Sequence, residues 1–393
     1  MSEHLASFQG PRGTVRLTMP LDYRAAIANW TELRKAMARS LPEAFTRDEW
    51  AYLIAFLDAD NLATPFRTTF GDPVSESAAA PGPLYRPRGG VAIWLPNNVS
   101  LLGPLVLVLL SLTGQPLRLK LGSSGSDLAG AFLRFARERL PPGSLRDWLE
   151  SHVTAEQFDR DDPRQSEWTQ WARVRIVFGS DAAAAAIHAL PHPQTSVGIS
   201  FVDRQSEAWV EPGALDEAVL RDLLKVFAIY GQAGCTSPRR VVVIDGTPDE
   251  AADLKDRLAD LWPSVIRQRP AMHQASENLM ADQWARSLGW DTVVVAEHAA
   301  VLATGSFELP GFEALLGLRI LAASREEACL RLPANIQTIG HALVDPGDPS
   351  WMRLLAASAV CRFVPIARMH HFSSTWDGQD YWAQCFEVME VSR

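Results

Sequence analysis

From Gly90 onward, short runs of β-branched and other apolar residues alternate with longer stretches whose apolar positions recur every three or four residues. The first pattern predicts buried strands and the second amphipathic helices. Strand Val91–Leu95 leads to helix Leu101–Leu112, and strand Pro116–Leu121 to helix Ser126–Leu140. Past an irregular, charged stretch, strand Val174–Phe178 leads to helix Asp181–Leu190 and strand Ser196–Val202. A second series opens with helix Leu215–Tyr230 and strand Arg240–Ile244. It continues through helices Asp249–Trp262 and Ser276–Leu288 to strands Thr292–Ala296 and Leu318–Ala322. Such alternation implies parallel sheets covered by helices on both faces, so the chain reads as α/β, a Rossmann-like lobe followed by a second α/β lobe. Before Gly90 the pattern predicts only two helices, about Tyr23–Arg39 and Arg47–Asp60, the latter opened by a capping box of Thr46 and Glu49. Residues Ala63–Gly90, rich in Pro, Gly, Ser and Ala, read as a long loop.

Composition narrows the class. A chain of 393 residues exceeds one simple core, and 47% hydrophobic with 21% charged content describes an ordinary globular protein. The net charge of −9, without a basic cluster, argues against a nucleic-acid binder. The N-terminus has no apolar core of a signal peptide. The longest apolar run, Leu101–Leu112, is shorter than the ~20 residues of a spanning helix and contains Pro104, so no membrane insertion is expected. Four cysteines (Cys235, Cys329, Cys361, Cys385), widely spaced and without C-x-x-C, argue against a disulfide framework or zinc site and for a reducing, cytoplasmic setting. No metal is expected.

Candidate chemistry centres on Gly231–Pro238, GQAGCTSP, a small-residue turn between a helix and a strand. Cys235 on such a turn is open to a substrate, and backbone N–H groups there favour its thiolate; a buried structural cysteine is the competing reading. Gly179-Ser180 ends a strand directly before a helix, where free N–H groups and the helix dipole suit an anion, although such helix starts are common. Pro96-Asn97-Asn98 is a turn after a strand. His370-His371 offers a proton donor or a structural pair. No G-x-G-x-x-G follows a predicted strand.

The GQ…C…SP pattern resembles the nucleophile motif of the aldehyde dehydrogenase superfamily and, within it, the LuxC-type fatty acyl-CoA reductases. The likeness recurs in order at four places from Gly90 to the C-terminus. It implies an aldehyde dehydrogenase-like fold with an accessory segment at 1–89, a cofactor-binding lobe at 90–207, a catalytic lobe at 208–336, and a segment at 337–393 that returns to the cofactor lobe. It implies Cys235 as nucleophile, with Asn98 of the P-x-N turn and the Cys235 backbone N–H as oxyanion donors. Removing one such donor typically costs on the order of 100- to 1000-fold in rate. Lys120 matches the lysine of the VVKP strand that contacts the adenosine ribose, and Gly179-Ser180 match the FTGS-type cofactor turn. NAD-preferring members carry a glutamate where Ser123 stands here, and Lys120 suits a 2′-phosphate, so the implied cofactor is NADPH. The stretch corresponding to the water-activating E-L-G-G-K segment, near Pro193–Phe201, contains no carboxylate; Asp203 is the nearest downstream. The expected activity is therefore NADPH-dependent reduction of an acyl thioester to the aldehyde through acyl-Cys235, most like a long-chain acyl-protein thioester reductase. The expected donors are acyl-CoA or an acyl-carrier or acyl-transferring protein, and the expected state a homo-oligomer. An NAD(P)-dependent aldehyde dehydrogenase, an acyl-phosphate reductase and a non-catalytic acyl-carrier-binding subunit are the alternatives.

Overall fold

Two runs near the start of the chain, His4–Gly10 (β1) and Gly13–Met19 (β2), form an antiparallel hairpin in which Phe8 faces Val15 across the pair. Val15, Leu17 and Met19 alternate into the core, the two-residue period of a strand with one face covered. The structure, a computed structural model, describes residues 4–11, 13–75, 82–122, 127–232, 234–267 and 269–391. The chain divides into one unit made of Met1–Val202 with Phe372–Arg393, and a second made of Asp203–His371.

In the first unit the hairpin is followed by α1 (Tyr23–Met37), α2 (Arg47–Phe56) and α3 (Ala59–Phe70). The Thr46–Glu49 capping box is present at the start of α2: Glu49 N–H donates to Thr46 Oγ1, and Thr46 N–H to Glu49 Oε2. Helix α3 overturns the loop expected from Ala63. It carries Pro65 in its interior, yet Leu62, Phe66 and Phe70 are buried and both aromatics pack on Phe8. Burial of three large side chains offsets the proline penalty of about 3 kcal/mol. Strands β3 (Asp72–Val74) and β4 (Leu84–Pro87) follow, also within the expected loop.

The Rossmann-like part then runs β5 (Val91–Trp94), α4 (Leu102–Ser111), β6 (Leu117–Lys120), α5 (Leu128–Arg139), α6 (Ser144–His152), β7 (Val153–Glu156), α7 (Arg164–Trp171), β8 (Val174–Gly179), α8 (Asp181–His188) and β9 (Val197–Val202). Its sheet is parallel throughout, in the order β7-β6-β5-β8-β9. The charged stretch read as irregular holds α6, β7 and α7, because its charges lie outward while Leu145, Trp148, Leu149 and Trp168 turn inward. Central strand β5 is buried at all four positions, as a strand covered on both faces must be.

The second unit contains β10 (Gln205–Val210), α9 (Glu217–Ala228), β11 (Pro238–Ile244), α10 (Pro248–Val265), α11 (Met272–Ser287), β12 (Asp291–Val295), β13 (Ala300–Gly305), β14 (Gly317–Ala323), α12 (Arg325–Leu330), β15 (Ile336–Ala342), α13 (Pro349–Leu355) and β16 (Arg362–Pro365). Its sheet order is β12-β13-β14-β11-β10-β15-β16, with only β12 antiparallel to its neighbour. The unbroken β-branched run of β11 reflects cover on both faces. Val241 and Val243 pack with Leu223, Phe227 and Trp262 on one side, while Val242 and Ile244 pack with Trp209 and Trp351 on the other.

Phe372 returns the chain to the first unit, where β17 (Thr375–Trp376) and β18 (Gln379–Asp380) pair with each other. Then β19 (Phe386–Met389) joins β4 at the edge of the mixed sheet β19-β4-β2-β1-β3.

Candidate active site

Helix α9 ends at Ala228 and a single 3-10 turn, Ile229–Gln232, carries the chain toward β11. Cys235 lies half-buried on the turn between that 3-10 segment and β11, the placement its small neighbours indicate. The turn is held at several points, all within the second unit. Ser206 Oγ on β10 donates to the Cys235 carbonyl at 2.7 Å, and Ser237 N–H to the Gly234 carbonyl at 3.0 Å. Gln232 is buried with φ of 62°, a conformation uncommon for a side chain larger than glycine's. Its amide donates to the carbonyls of Pro238 and Gly317, each at 2.8 Å, and accepts from Gly317 N–H at 3.0 Å.

A third tie comes from His370. The histidine pair stands just after the 3-10 turn Ile366–Arg368. Arg362 on β16 shapes this segment by donating to the carbonyls of Arg368, Met369 and His371. His370 Nε2 meets the Val226 carbonyl at 2.9 Å, so it carries the proton, and Nδ1 accepts from Thr236 Oγ1 at 2.6 Å. Burial pushes the His370 pKa down to about 4, the Val226 carbonyl opposing and Arg362 adding to the fall. At neutral pH its imidazole is uncharged and both nitrogens are engaged, which makes it a brace between the cysteine turn and α9. His371 is also lowered by burial, with Arg368 and Arg362 contributing.

The other sequence-derived candidates lie in the first unit. Asn98 is exposed on the bend between β5 and α4. Gly122, two residues past β6, is built against that bend: a Cβ there would stand 2.1 Å from Asn97 Oδ1 and 3.0 Å from the Pro96 carbonyl oxygen. Lys120 ends β6 half-buried, its Nζ 5.8 Å from the centroid of the Phe158 ring. Among the described residues its ammonium makes no hydrogen bond or ion pair. Burial lowers its pKa, with Asp159 opposing and Arg160 reinforcing. Ser123 lies outside the described residues. Gly179 ends β8, and Ser180 caps α8 by accepting from Ala183 N–H at 3.2 Å. Strand β9 spans most of the Pro193–Phe201 segment. It contains no carboxylate, and its Ser200 Oγ pairs with His188 Nε2 at 2.7 Å. Among the described residues no group of three or more His, Cys, Asp or Glu could hold a metal, and no helix is long and apolar enough to cross a membrane.

Comparison with known families finds a match over residues 76–301 to the family described as acyl-CoA reductase (LuxC). No curated protein matches the sequence significantly. Among solved structures, methylmalonate-semialdehyde dehydrogenase from Oceanimonas doudoroffii is similar with a TM-score of 0.68 at 15% identity, over 95% of this chain and 86% of that one. Indole-3-acetaldehyde dehydrogenase of P. syringae, solved with NAD+ and IAA, has a TM-score of 0.63 at 12% identity, over 94% and 84% of the two chains. Succinic semialdehyde dehydrogenase from Streptococcus pyogenes, in complex with NADP+ as the cofactor, has a TM-score of 0.60 at 14% identity, over 88% and 82%. At these identities the likeness is one of fold, and the fold is that of the aldehyde dehydrogenases.

Proposed function

The chain belongs to the acyl-CoA reductase (LuxC) family, and on that premise we propose that it reduces an acyl thioester to the free aldehyde through an acyl-Cys235 intermediate, with NADPH as reductant. The observation that carries the proposal is the anchored, small-residue turn bearing Cys235, within the matched segment. The Cys235 thiolate attacks the acyl carbonyl, the oxyanion collapses, and the donor's thiolate leaves, so one C–S bond forms as another breaks. The Cys235 backbone N–H and Asn98 serve as oxyanion donors, as the family likeness implies. The same turn later releases the aldehyde, when the thiohemiacetal breaks its bond to the Cys235 sulfur.

Lys120 fits a role at the cofactor. A half-buried ammonium that makes no hydrogen bond or ion pair among the described residues suits a ribose hydroxyl or a 2′-phosphate. Gly179 and Ser180, at the start of α8, are the other residues that would hold it. When bound, NADPH supplies the hydride that reduces the thioester. Strand β9, without a carboxylate, favours reduction over hydrolysis of the acyl-enzyme. The donor is acyl-CoA or an acyl group on a carrier or transferring protein, and the setting cytoplasmic.

The test is NADPH oxidation with an acyl-CoA series, the aldehyde being trapped, for the native chain and for Cys235→Ala. We expect aldehyde formation that is lost in Cys235→Ala. We also expect Lys120→Ala to raise the KM for NADPH about tenfold and that for NADH less. Steady oxidation of aldehydes to acids, or turnover of acyl phosphates but not thioesters, would replace the proposal with one of those activities. Binding of a carrier protein without any turnover would leave a non-catalytic subunit.

A further inference from the structure

The second unit contains a cavity of about 330 Å³ at the end of its sheet where β11 and β14 begin. Arg204, Arg239 and Arg319 line it. The guanidiniums of Arg319, half-buried on β14, and Arg239, exposed on β11, make no hydrogen bond or ion pair among the described residues. Burial and the nearby Arg240 work against the Arg319 charge, while Glu207 and Glu313 support it. Glu207, however, is fully buried and already committed to Arg240. Two carboxylates, Asp203 and Glu313, share the lining. Arg239 and Arg319 against Glu313 leave the lining net positive, which suits an anion.

The cavity's position indicates which anion. Gln232 and Gly317 form part of its wall, and their side chain–backbone pair anchors the segment leading to Cys235. The candidate cofactor residues Lys120, Gly179 and Ser180 belong to the other unit. We propose that the cavity binds a phosphate group of the acyl donor. Every donor of the pantetheine class carries one, whether coenzyme A or a carrier protein, and the planar fork of arginine matches its oxygens. The inference rests on the thioester-reductase function proposed above and adds to it the residues that recognise the donor.

Equilibrium binding to the full chain tests this without turnover, using coenzyme A, 4′-phosphopantetheine and phosphate-free pantetheine. Native protein should bind at least one phosphorylated compound about tenfold or more tighter than pantetheine. That preference should collapse in Arg319→Gln and shrink in Arg239→Gln. Equal binding of coenzyme A and phosphopantetheine assigns the phosphate on the pantetheine arm, common to both donor types. Much tighter coenzyme A assigns its nucleotide phosphates. Native-like preference in both variants, or pantetheine bound as tightly as coenzyme A, overturns the proposal. Should Arg319→Gln not fold, exposed Arg239 decides the matter alone. Arginine-dependent binding in a protein that reduces no thioester would sink the reductase function but not the site; thioester reduction with no arginine dependence would do the reverse.

Discussion

Gln232 pairs with Gly317 as a neighbouring strand residue would: its side-chain amide accepts from the Gly317 N–H and donates to the Gly317 carbonyl. One side chain thus extends the edge of β14's backbone into the approach to the cysteine turn, and its third bond, to the Pro238 carbonyl, pins the start of β11. The left-handed backbone at Gln232 is the local strain that this arrangement sustains.

Gln232→Leu is nearly isosteric but leaves three backbone groups without their partner. We expect a loss of about 2–4 kcal/mol in denaturant-induced unfolding and a fall in kcat for thioester reduction larger than the change in KM. Gln232→Glu retains an acceptor for Gly317 N–H but sets a carboxylate oxygen against two carbonyls. It should be at least as damaging at neutral pH and should recover on acidification.

His370 makes stability depend on pH. Its folded pKa, about 4, lies below the ordinary 6.5, so the unfolded chain takes up the proton first as pH falls. The contribution is complete above about pH 6.5 and is lost progressively toward pH 4. Thermal unfolding across this range should show a stability increment that disappears in His370→Phe. At pH 7 that variant should be less stable by about 1–3 kcal/mol, since the Val226 carbonyl and the Thr236 hydroxyl lose their partner.

Gly122→Ala tests the bend that carries Asn98. The added methyl cannot fit 2.1 Å from Asn97 Oδ1, so the Asn97 side chain has to turn away and the Pro96 carbonyl, 3.0 Å from the new carbon, has to give way slightly. Overpacking of this kind costs about 1–3 kcal/mol. Thioester reduction should fall well beyond what the loss of folded protein explains, measured as activity per folded molecule. Activity at the native level would show that the bend absorbs the methyl without moving Asn98, whereas native activity in Asn98→Ala would remove Asn98 from the proposed chemistry.

The Rossmann-like half was legible because its strands are apolar on both faces and its helices periodic. Strand β10 was not, because Gln205, Ser206 and Glu207 interrupt any apolar run; only in the fold does Arg240 make a buried glutamate acceptable there. The same holds at β1 and β2, whose alternation is diluted by polar residues on the open face. In the site, the cysteine turn could be read from its small residues. The partners of that turn could not, since Thr236 meets His370 across 134 positions of sequence and Gln232 meets Gly317 across 85. Nothing local in the sequence marks such pairs. A glutamine beside a glycine-rich turn, however, is a signal worth testing as a backbone clamp.

The first unit is interrupted at Val202 and resumed only at Phe372. The late segment brings Tyr381, Trp382 and Phe386, all buried, with Trp382 against Phe66 and Phe70 and its indole N–H on the Leu109 carbonyl. A ribosome therefore delivers the whole second unit before the first can close its core. During synthesis the earlier half waits with aromatic surface exposed, so chaperone demand should scale with the time taken to translate the intervening residues. Slowing translation between codons 203 and 371 would prolong that vulnerable interval.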